Sequence, residues 1–276
     1  MKKTLLIVFC LLSIGANAQI ETDRPDFTES PNVVPKGALQ VETGFILEND
    51  YSAEEQRASK VGLSERNFTM NTTLLRYGLT ENIELRLNTS FDVSKVNMME
   101  DMAYLGDSTY NPILGDIKGF STSFIGFKTN LLKTDKVSLG FLGHLYIPQL
   151  ASGDYQKVSG QHLAPEFLIP CSIDLTDKWG IAFQYGLTWD GFTPNPTTSY
   201  TLALGYGITD ELSFYVEPYG FLTTNGDELH LLNGGFTYLV NDNFQLDLTG
   251  GVGLNEAAPD NFLNFGASFL LFNKDE

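Results

Sequence analysis

Cysteine, histidine and basic residues are scarce in this chain, and each scarcity narrows what the protein can be. Its 276 residues include two cysteines, three histidines and 17 Lys or Arg against 34 Asp or Glu, a formal net charge of −17. Binding to DNA or RNA needs a basic patch, so nucleic acid is excluded as a partner. Cys10 lies in a segment that we expect to be removed, and Cys171 alone cannot form an internal disulfide.

Long hydrophobic runs are also missing from the main part of the chain. No apolar stretch of about 18 residues follows the first segment, so any membrane crossing must use strands. Residues 1–18 begin with two lysines, continue with the apolar stretch Leu5–Ile14 and end with Ala16-Asn17-Ala18. This is the layout of a cleavable secretory signal peptide, and we expect the exported chain to begin near Gln19.

Alternation of apolar and polar residues dominates the rest of the chain. The clearest runs flank tight polar turns at Tyr77-Gly-Leu-Thr-Glu-Asn-Ile-Glu-Leu and Tyr206-Gly-Ile-Thr-Asp-Glu-Leu-Ser-Phe, and looser versions surround residues 134–135, 176–177 and 241–242. Successive side chains of a strand point to opposite faces, so such runs on both sides of a short turn predict an antiparallel hairpin. Five hairpins in series predict one large meander.

Twelve strands are predicted from these turns. They cover residues 37–47, 66–79, 82–93, 119–132, 135–148, 162–175, 178–189, 199–208, 211–222, 229–239, 243–253 and 262–272. Connections at one end are short, whereas those at the other end include residues 48–65, 94–118 and 149–161. Short periplasmic turns and long extracellular loops are typical of outer-membrane barrels. The predicted fold is therefore all-β, a closed antiparallel up-and-down transmembrane β-barrel of about 12 strands over residues 37–276.

A soluble sandwich would show the same alternation, so the pattern alone does not choose between the two folds. Strands of 10 to 14 residues exceed the usual length of about five or six and suit a tilted membrane crossing. Tyr77, Tyr206, Tyr238 and Trp179 all lie close to short turns, as in an interfacial aromatic girdle. Because an open sheet edge is not tolerated in hydrocarbon, we expect the first and last strands to pair.

Charged residues on the polar face of these strands are predicted to line a narrow lumen. A basic side chain turned toward the bilayer midplane would cost about 2 to 4 kcal/mol. The lumen-lining candidates are Glu42, Arg76, Glu84, Arg86, Asp92, Lys128, Glu166, Gln184, Glu217 and Asp247. The register around Arg76 is irregular, because Met70, Leu74 and Arg76 share a face. These residues fit both ion pairs that stiffen the barrel and a selective solute path.

Residues 19–36 precede the barrel as an N-terminal periplasmic or plug segment. Three prolines forbid regular strand pairing in it. An even number of strands places both termini in the periplasm, so the segment can fold up into the barrel mouth or remain a periplasmic tail. As a plug it would bring four charged candidates to the lumen, Asp23, Arg24, Asp26 and Glu29.

Three motifs resemble a known family. They are Glu21-Thr-Asp-Arg-Pro-Asp-Phe-Thr-Glu-Ser, the turn that begins at Tyr77, and Gly115-Asp116-Ile117 before the strand with Phe127-Lys128. Together they resemble the outer-membrane β-barrel transporter family described as "putative MetA-pathway of phenol degradation", over essentially the whole mature chain. The first motif is fairly specific and the strand motifs are weak. The resemblance implies a cell outer membrane location and passage of small, aromatic compounds, and it leaves the substrate open.

The predicted function is passive passage or binding of a small, aromatic or apolar solute by a porin-like outer-membrane barrel. No cofactor, metal site or catalytic residue is predicted. The expected partners are outer-membrane lipid, the small-molecule solute and the barrel-assembly machinery, and we expect a monomer.

Two alternatives remain open, a structural barrel without transport and a membrane-embedded lipid hydrolase. A hydrolase of the serine type needs a histidine, a serine and an orienting group within reach of one another. His144, His162 and His230 are scattered, and Ser152 and Ser159 lie near His162 without the spacing of a triad. We therefore predict that the protein is not an enzyme.

Overall fold

The computed structural model describes residues 20–50, 63–98, 115–224 and 226–272. Its strands are β1 Leu39–Asp50, β2 Leu63–Gly78, β3 Ile83–Met98, β4 Gly115–Phe120, β5 Ser123–Lys133, β6 Val137–Ile147, β7 Ala164–Asp174, β8 Trp179–Thr188, β9 Thr197–Gly207, β10 Leu212–Leu222, β11 Leu229–Asn241, β12 Phe244–Gly253 and β13 Asn261–Phe272. A 3₁₀ turn at Pro148–Leu150 and a short helix, α1, at Tyr155–Val158 lie in one connection. In the described part of the chain, no helix has the length and apolar character to span a bilayer. The predicted signal peptide, residues 1–18, lies outside the described residues.

The sheet closes on itself. Neighbouring strands pair antiparallel, and β1 pairs with β2 along one edge and with β13 along the other, where Val41 lies opposite Phe269 and Asn49 opposite Asn261. Among the described strands, the pairing of β1 with β13 joins the two ends of the sheet, as a hydrocarbon environment requires, and confirms the expected pairing of the first and last strands. β4 and β5 both pair with β3, so they form two parts of one barrel strand. The barrel therefore has twelve strands, as predicted.

The predicted fourth strand, residues 119–132, is interrupted in the structure. β4 ends at Phe120 and β5 begins at Ser123. Gly119 has a φ of 153°, which other residues rarely adopt, and a Cβ atom there would collide with the carbonyl of Ser152. The break thus lets the strand accommodate the connection that carries the 3₁₀ turn and α1.

The barrel is apolar outside and polar inside. On β12, Leu248 is 47% exposed, whereas its neighbours Asp247 and Thr249 are 2% and 1% exposed. Phe265 on β13, 48% exposed, repeats the outward pattern. A soluble sandwich would bury the apolar face, so the sandwich alternative is wrong for this chain.

The irregular register around Arg76 has a local cause. The β2–β3 pairing shifts between Thr69 and Asn71, an irregularity of the β-bulge type. An inserted residue exchanges the two faces of a strand. Phe68, before the shift, is 36% exposed, whereas the even-numbered Leu74 and Arg76 after it are 9% and 0% exposed and face the interior.

Candidate functional site

The N-terminal segment, residues 20–36, lies inside the barrel. It is tied to the end with short turns, because the Ile20 amide donates to the Asp242 carbonyl at 2.9 Å. Further along, backbone amides donate to carboxylates on the wall, Thr28 to Glu217 at 2.8 Å and Val34 to Glu84 at 2.8 Å. Wall carboxylates thus supply the acceptors that a segment without strand partners otherwise lacks.

A charge cluster fixes this segment to one side of the wall. It consists of three cations on the strands, two carboxylates on the strands and two carboxylates of the segment. These are, in that order, Arg76, Arg86 and Lys128, then Glu42 and Glu84, then Asp23 and Glu29. Asp23 is its centre, with Oδ2 3.2 Å from Arg76 Nε and 2.6 Å from Arg86 Nη1, and Oδ1 2.5 Å from Lys128 Nζ. Every cation of the cluster therefore contacts the segment directly.

The charge count of the cluster determines where a proton is held. Three cations face four carboxylates, so full ionisation would leave one uncompensated negative charge in a buried site. Burial alone would raise the pKa of Asp23, but Arg76, Lys128 and Arg86 together hold it well below its usual value. Burial raises the pKa of Glu29 to about 8, against the opposing charge of Arg86. Glu29 is therefore the carboxyl that retains a proton near neutral pH.

The second charged anchor lies on β12 and β13. Arg24 Nη2 lies 3.1 Å from Asp247 Oδ1 and donates to Asn264 Oδ1 at 2.6 Å. The guanidinium rests against Gly44 and Gly266, where a Cβ atom on either glycine would collide with it. This close approach explains why these two wall positions are glycine.

The upper cavity, between the segment and the end with long connections, has a volume of about 190 Å³. Its lining combines six aromatic residues, Phe27, Phe124, Tyr146, Tyr200, Tyr219 and Phe221, with seven polar ones, Glu29, His144, Glu166, Gln184, Thr188, Ser199 and Thr201. Phe27 of the segment stacks on Tyr219 with ring centroids 4.4 Å apart and meets Phe221 edge-on at 5.8 Å. The N-terminal segment thus contributes an aromatic ring to this cavity.

Glu166 forms the polar side of the upper cavity. Its Oε2 lies 2.6 Å from His144 Nδ1 and accepts from Tyr146 at 3.3 Å, and Oε1 accepts from Thr188 at 2.8 Å. A carboxylate opposite Nδ1 requires the proton on that nitrogen. The His144 ring also stacks on Phe124 at 4.2 Å, so the polar and aromatic parts of the lining support each other.

The structure places the ten lumen-lining candidates on the inner face of the barrel. Glu42, Arg76, Glu84, Arg86 and Lys128 belong to the charge cluster, and Asp247 binds Arg24. Glu166 and Gln184 line the upper cavity, and Glu217 accepts from Phe27 and Thr28. Asp92 lies in a separate cavity of about 490 Å³ beside α1. Of the segment candidates, Asp26 lines a further cavity, between the segment and strands β7 to β10.

Sequence reasoning missed the aromatic lining and the neutral polar partners of the segment. Phe124 shares a strand face with Lys128, so alternation could have placed it in the lumen. Gln40 donates to Glu42 at 2.8 Å and to the Glu21 carbonyl at 2.9 Å, and it is 1% exposed. Phe27 gave no signal, because a proline-rich segment has no periodicity from which a side-chain direction can be read.

A closed antiparallel barrel with an apolar exterior, a polar interior and an internal N-terminal segment defines the class of transmembrane β-barrels. Residues 22–271 match the sequence model of the family described as "Putative MetA-pathway of phenol degradation". The chain belongs to this family, which confirms the resemblance seen in the sequence.

Solved structures show the same fold. The COG4313 outer membrane channel from Pseudomonas putida F1 is 15% identical, with a TM-score of 0.67 over 91% of this chain and 100% of that chain. The KdgM porin is 10% identical, with a TM-score of 0.48 over 84% of this chain and 99% of that chain. The CymD monoaromatic hydrocarbon channel is 12% identical, with a TM-score of 0.47 over 87% and 90%. No curated protein is significantly similar in sequence. The first match shows the same β-barrel fold, and the two lower scores carry no argument.

Proposed function

We propose that this protein is an outer-membrane channel through which a small aromatic or apolar solute passes passively, with the N-terminal segment as its plug. The observation that carries this proposal is the upper cavity, an aromatic-lined space inside a closed barrel, directly against the segment. Export by the predicted signal peptide, assembly by the barrel-assembly machinery and a monomeric state belong to the same proposal.

The size of the upper cavity supports a solute with a single ring. An apolar cavity of about 150 Å³ is enough to bind benzene, and the upper cavity measures about 190 Å³. Stacked and edge-on aromatic pairs favour a planar aromatic ligand, and Glu166 offers a carboxylate to a hydroxyl or amino substituent. The family description, which mentions phenol degradation, is consistent with such a compound.

Channel recordings on the mature chain and on a variant that lacks residues 20–34 test this proposal. In planar bilayers we expect rare, small conductance steps from the full chain and frequent, larger steps from the deletion variant. A gel-shift comparison of unboiled and boiled samples shows that both barrels are folded. A folded deletion variant without conductance steps would contradict the channel and favour the structural barrel.

A further inference from the structure

A second cavity lies below the upper cavity, on the same side of the barrel. This lower cavity has a volume of about 170 Å³ and is lined by Asp26 of the segment and by residues of β7 to β10. Its inward wall residues are small or polar except for Tyr215: Ser172, Asp174, Gly180, Ala182, Ala203, Gly205 and Tyr215. The strands β7 to β10 also carry most of the wall of the upper cavity. The two cavities therefore form a column along one side of the lumen.

A thin layer of hydrogen bonds separates the two cavities. Thr28 Oγ1 lies 2.5 Å from Thr201 Oγ1 and donates to Glu217 Oε1 at 2.6 Å. The amide of Glu29 donates to Gln184 Oε1 at 3.0 Å. Three consecutive residues of the segment, Phe27 to Glu29, thus make the partition between the cavities.

The charged anchors of the segment lie on strands other than β8 and β9. The charge cluster, which includes Glu29, joins it to β1, β2, β3 and β5, and Arg24 joins it to β12 and β13. On β10, the Glu217 carboxylate accepts from the amides of Phe27 and Thr28. The bonds of the partition to Thr201 on β9 and to Gln184 on β8 are between neutral groups. Breaking buried ion pairs costs more than breaking neutral hydrogen bonds, so the segment separates most easily from β8 and β9.

We propose that residues 27–29 are the gate of the solute path, and that the path runs between the segment and β7–β9. Opening requires release of the bonds to Thr201 and Gln184 and movement of the Phe27 ring away from Tyr219. The charge cluster, Arg24 and the backbone bonds to Glu217 keep the segment attached to the other strands during opening. This inference rests on the proposed channel function and adds the route and the position of the gate.

Single-channel recordings on the full mature chain test the gate. The double variant Thr201→Val/Gln184→Leu removes three hydrogen bonds of the partition, one to Thr201 and two to Gln184. We expect its open probability to rise roughly ten- to thirtyfold. Thr249→Val is the matched control, because Thr249 is another buried lumen threonine, bonded to Tyr215 and not to the segment. We expect that control to behave like the unaltered protein.

A disulfide lock gives a second readout. Thr28→Cys/Thr201→Cys joins positions whose side-chain oxygens are 2.5 Å apart, and Cys171→Ala removes the native thiol. We expect the oxidised protein to stop opening and a reductant to restore opening. If the deletion variant conducts while neither the double variant nor the lock changes opening, the gate lies elsewhere and the inference is wrong. If the folded deletion variant does not conduct, the channel function itself fails.

Discussion

The protonation of Glu29 should make the plug sensitive to alkaline pH. In the docked segment the pKa of Glu29 is raised to about 8, and in a segment released into water it would return to the ordinary 4.5. The docked state therefore binds this proton more tightly. Docking is strongest below about pH 4.5 and weakens as the pH rises through about 8, because ionisation leaves the cluster with an uncompensated negative charge.

The size of the effect follows from proton linkage. Between about pH 7 and pH 9, the Glu29 carboxyl of the docked segment changes from mostly protonated to mostly ionised. In the released segment the same carboxyl is already ionised over this interval. The ratio of released to docked segment should rise about tenfold over this interval. The groups that face Glu29 are Arg86 on β3, Lys128 on β5 and Asp23 of the segment, and the strong coupling of Asp23 to the cations keeps it ionised throughout.

Open probability in planar bilayers at pH 7, 8 and 9 measures the response. Burial, together with the nearby Glu217 carboxylate, also raises the pKa of Asp26. Every protein compared should therefore carry Asp26→Asn, so that Asp26 does not add its own titration to that of Glu29. We expect Glu29→Gln to lose the tenfold rise. Glu21→Gln should keep it, because Glu21 is an exposed carboxylate of the same segment, bonded to Ser30 and Asn32. An open probability that stays level or falls with pH while Glu29 is present would refute the reasoning.

Three further outcomes are expected. Gly266→Val should displace the Arg24 guanidinium and lower the apparent melting temperature, whereas Gly250→Val, where a Cβ atom meets nothing closer than 3.8 Å, should change it little; heating followed by gel mobility compares the two. Leu202→Lys, at an outward position 45% exposed, should destabilise the barrel by up to about 2 to 4 kcal/mol in urea titrations in lipid vesicles, and an unchanged midpoint would contradict the outward orientation. The open channel should prefer cations, because the described residues that line the upper and lower cavities include Asp26, Glu29 and Glu166 and no Lys or Arg; a reversal potential in a salt gradient that indicates anion preference would be evidence against this path.

Much of the barrel was predictable because strand periodicity is a local property. Alternation over β8 and β12 separates outward from inward residues correctly without any tertiary information. The prediction failed where the backbone leaves the regular pattern, at the bulge near Thr69 and at the interruption after Gly119. Both depend on what the chain meets across the sheet or in a distant connection.

The candidate site divides in the same way. Glu84, Arg86 and Lys128 could be assigned to the lumen, because strand alternation and the cost of a charge in hydrocarbon leave no better place. Asp23, the partner of Arg86 and Lys128, lies 105 residues before Lys128 in the chain. The spacing of these residues in the sequence does not predict that contact.

By itself, the sequence determined a twelve-stranded barrel with an apolar outer surface and charged residues inside, because each strand carries its own alternation of apolar and polar residues. The tertiary structure decided where the N-terminal segment lies, which carboxylate meets which cation, and that Phe27 reaches the aromatic cavity. The reason is physical: the segment has no period of its own, and its position is set by hydrogen bonds and ion pairs to strands that come together only when the barrel closes.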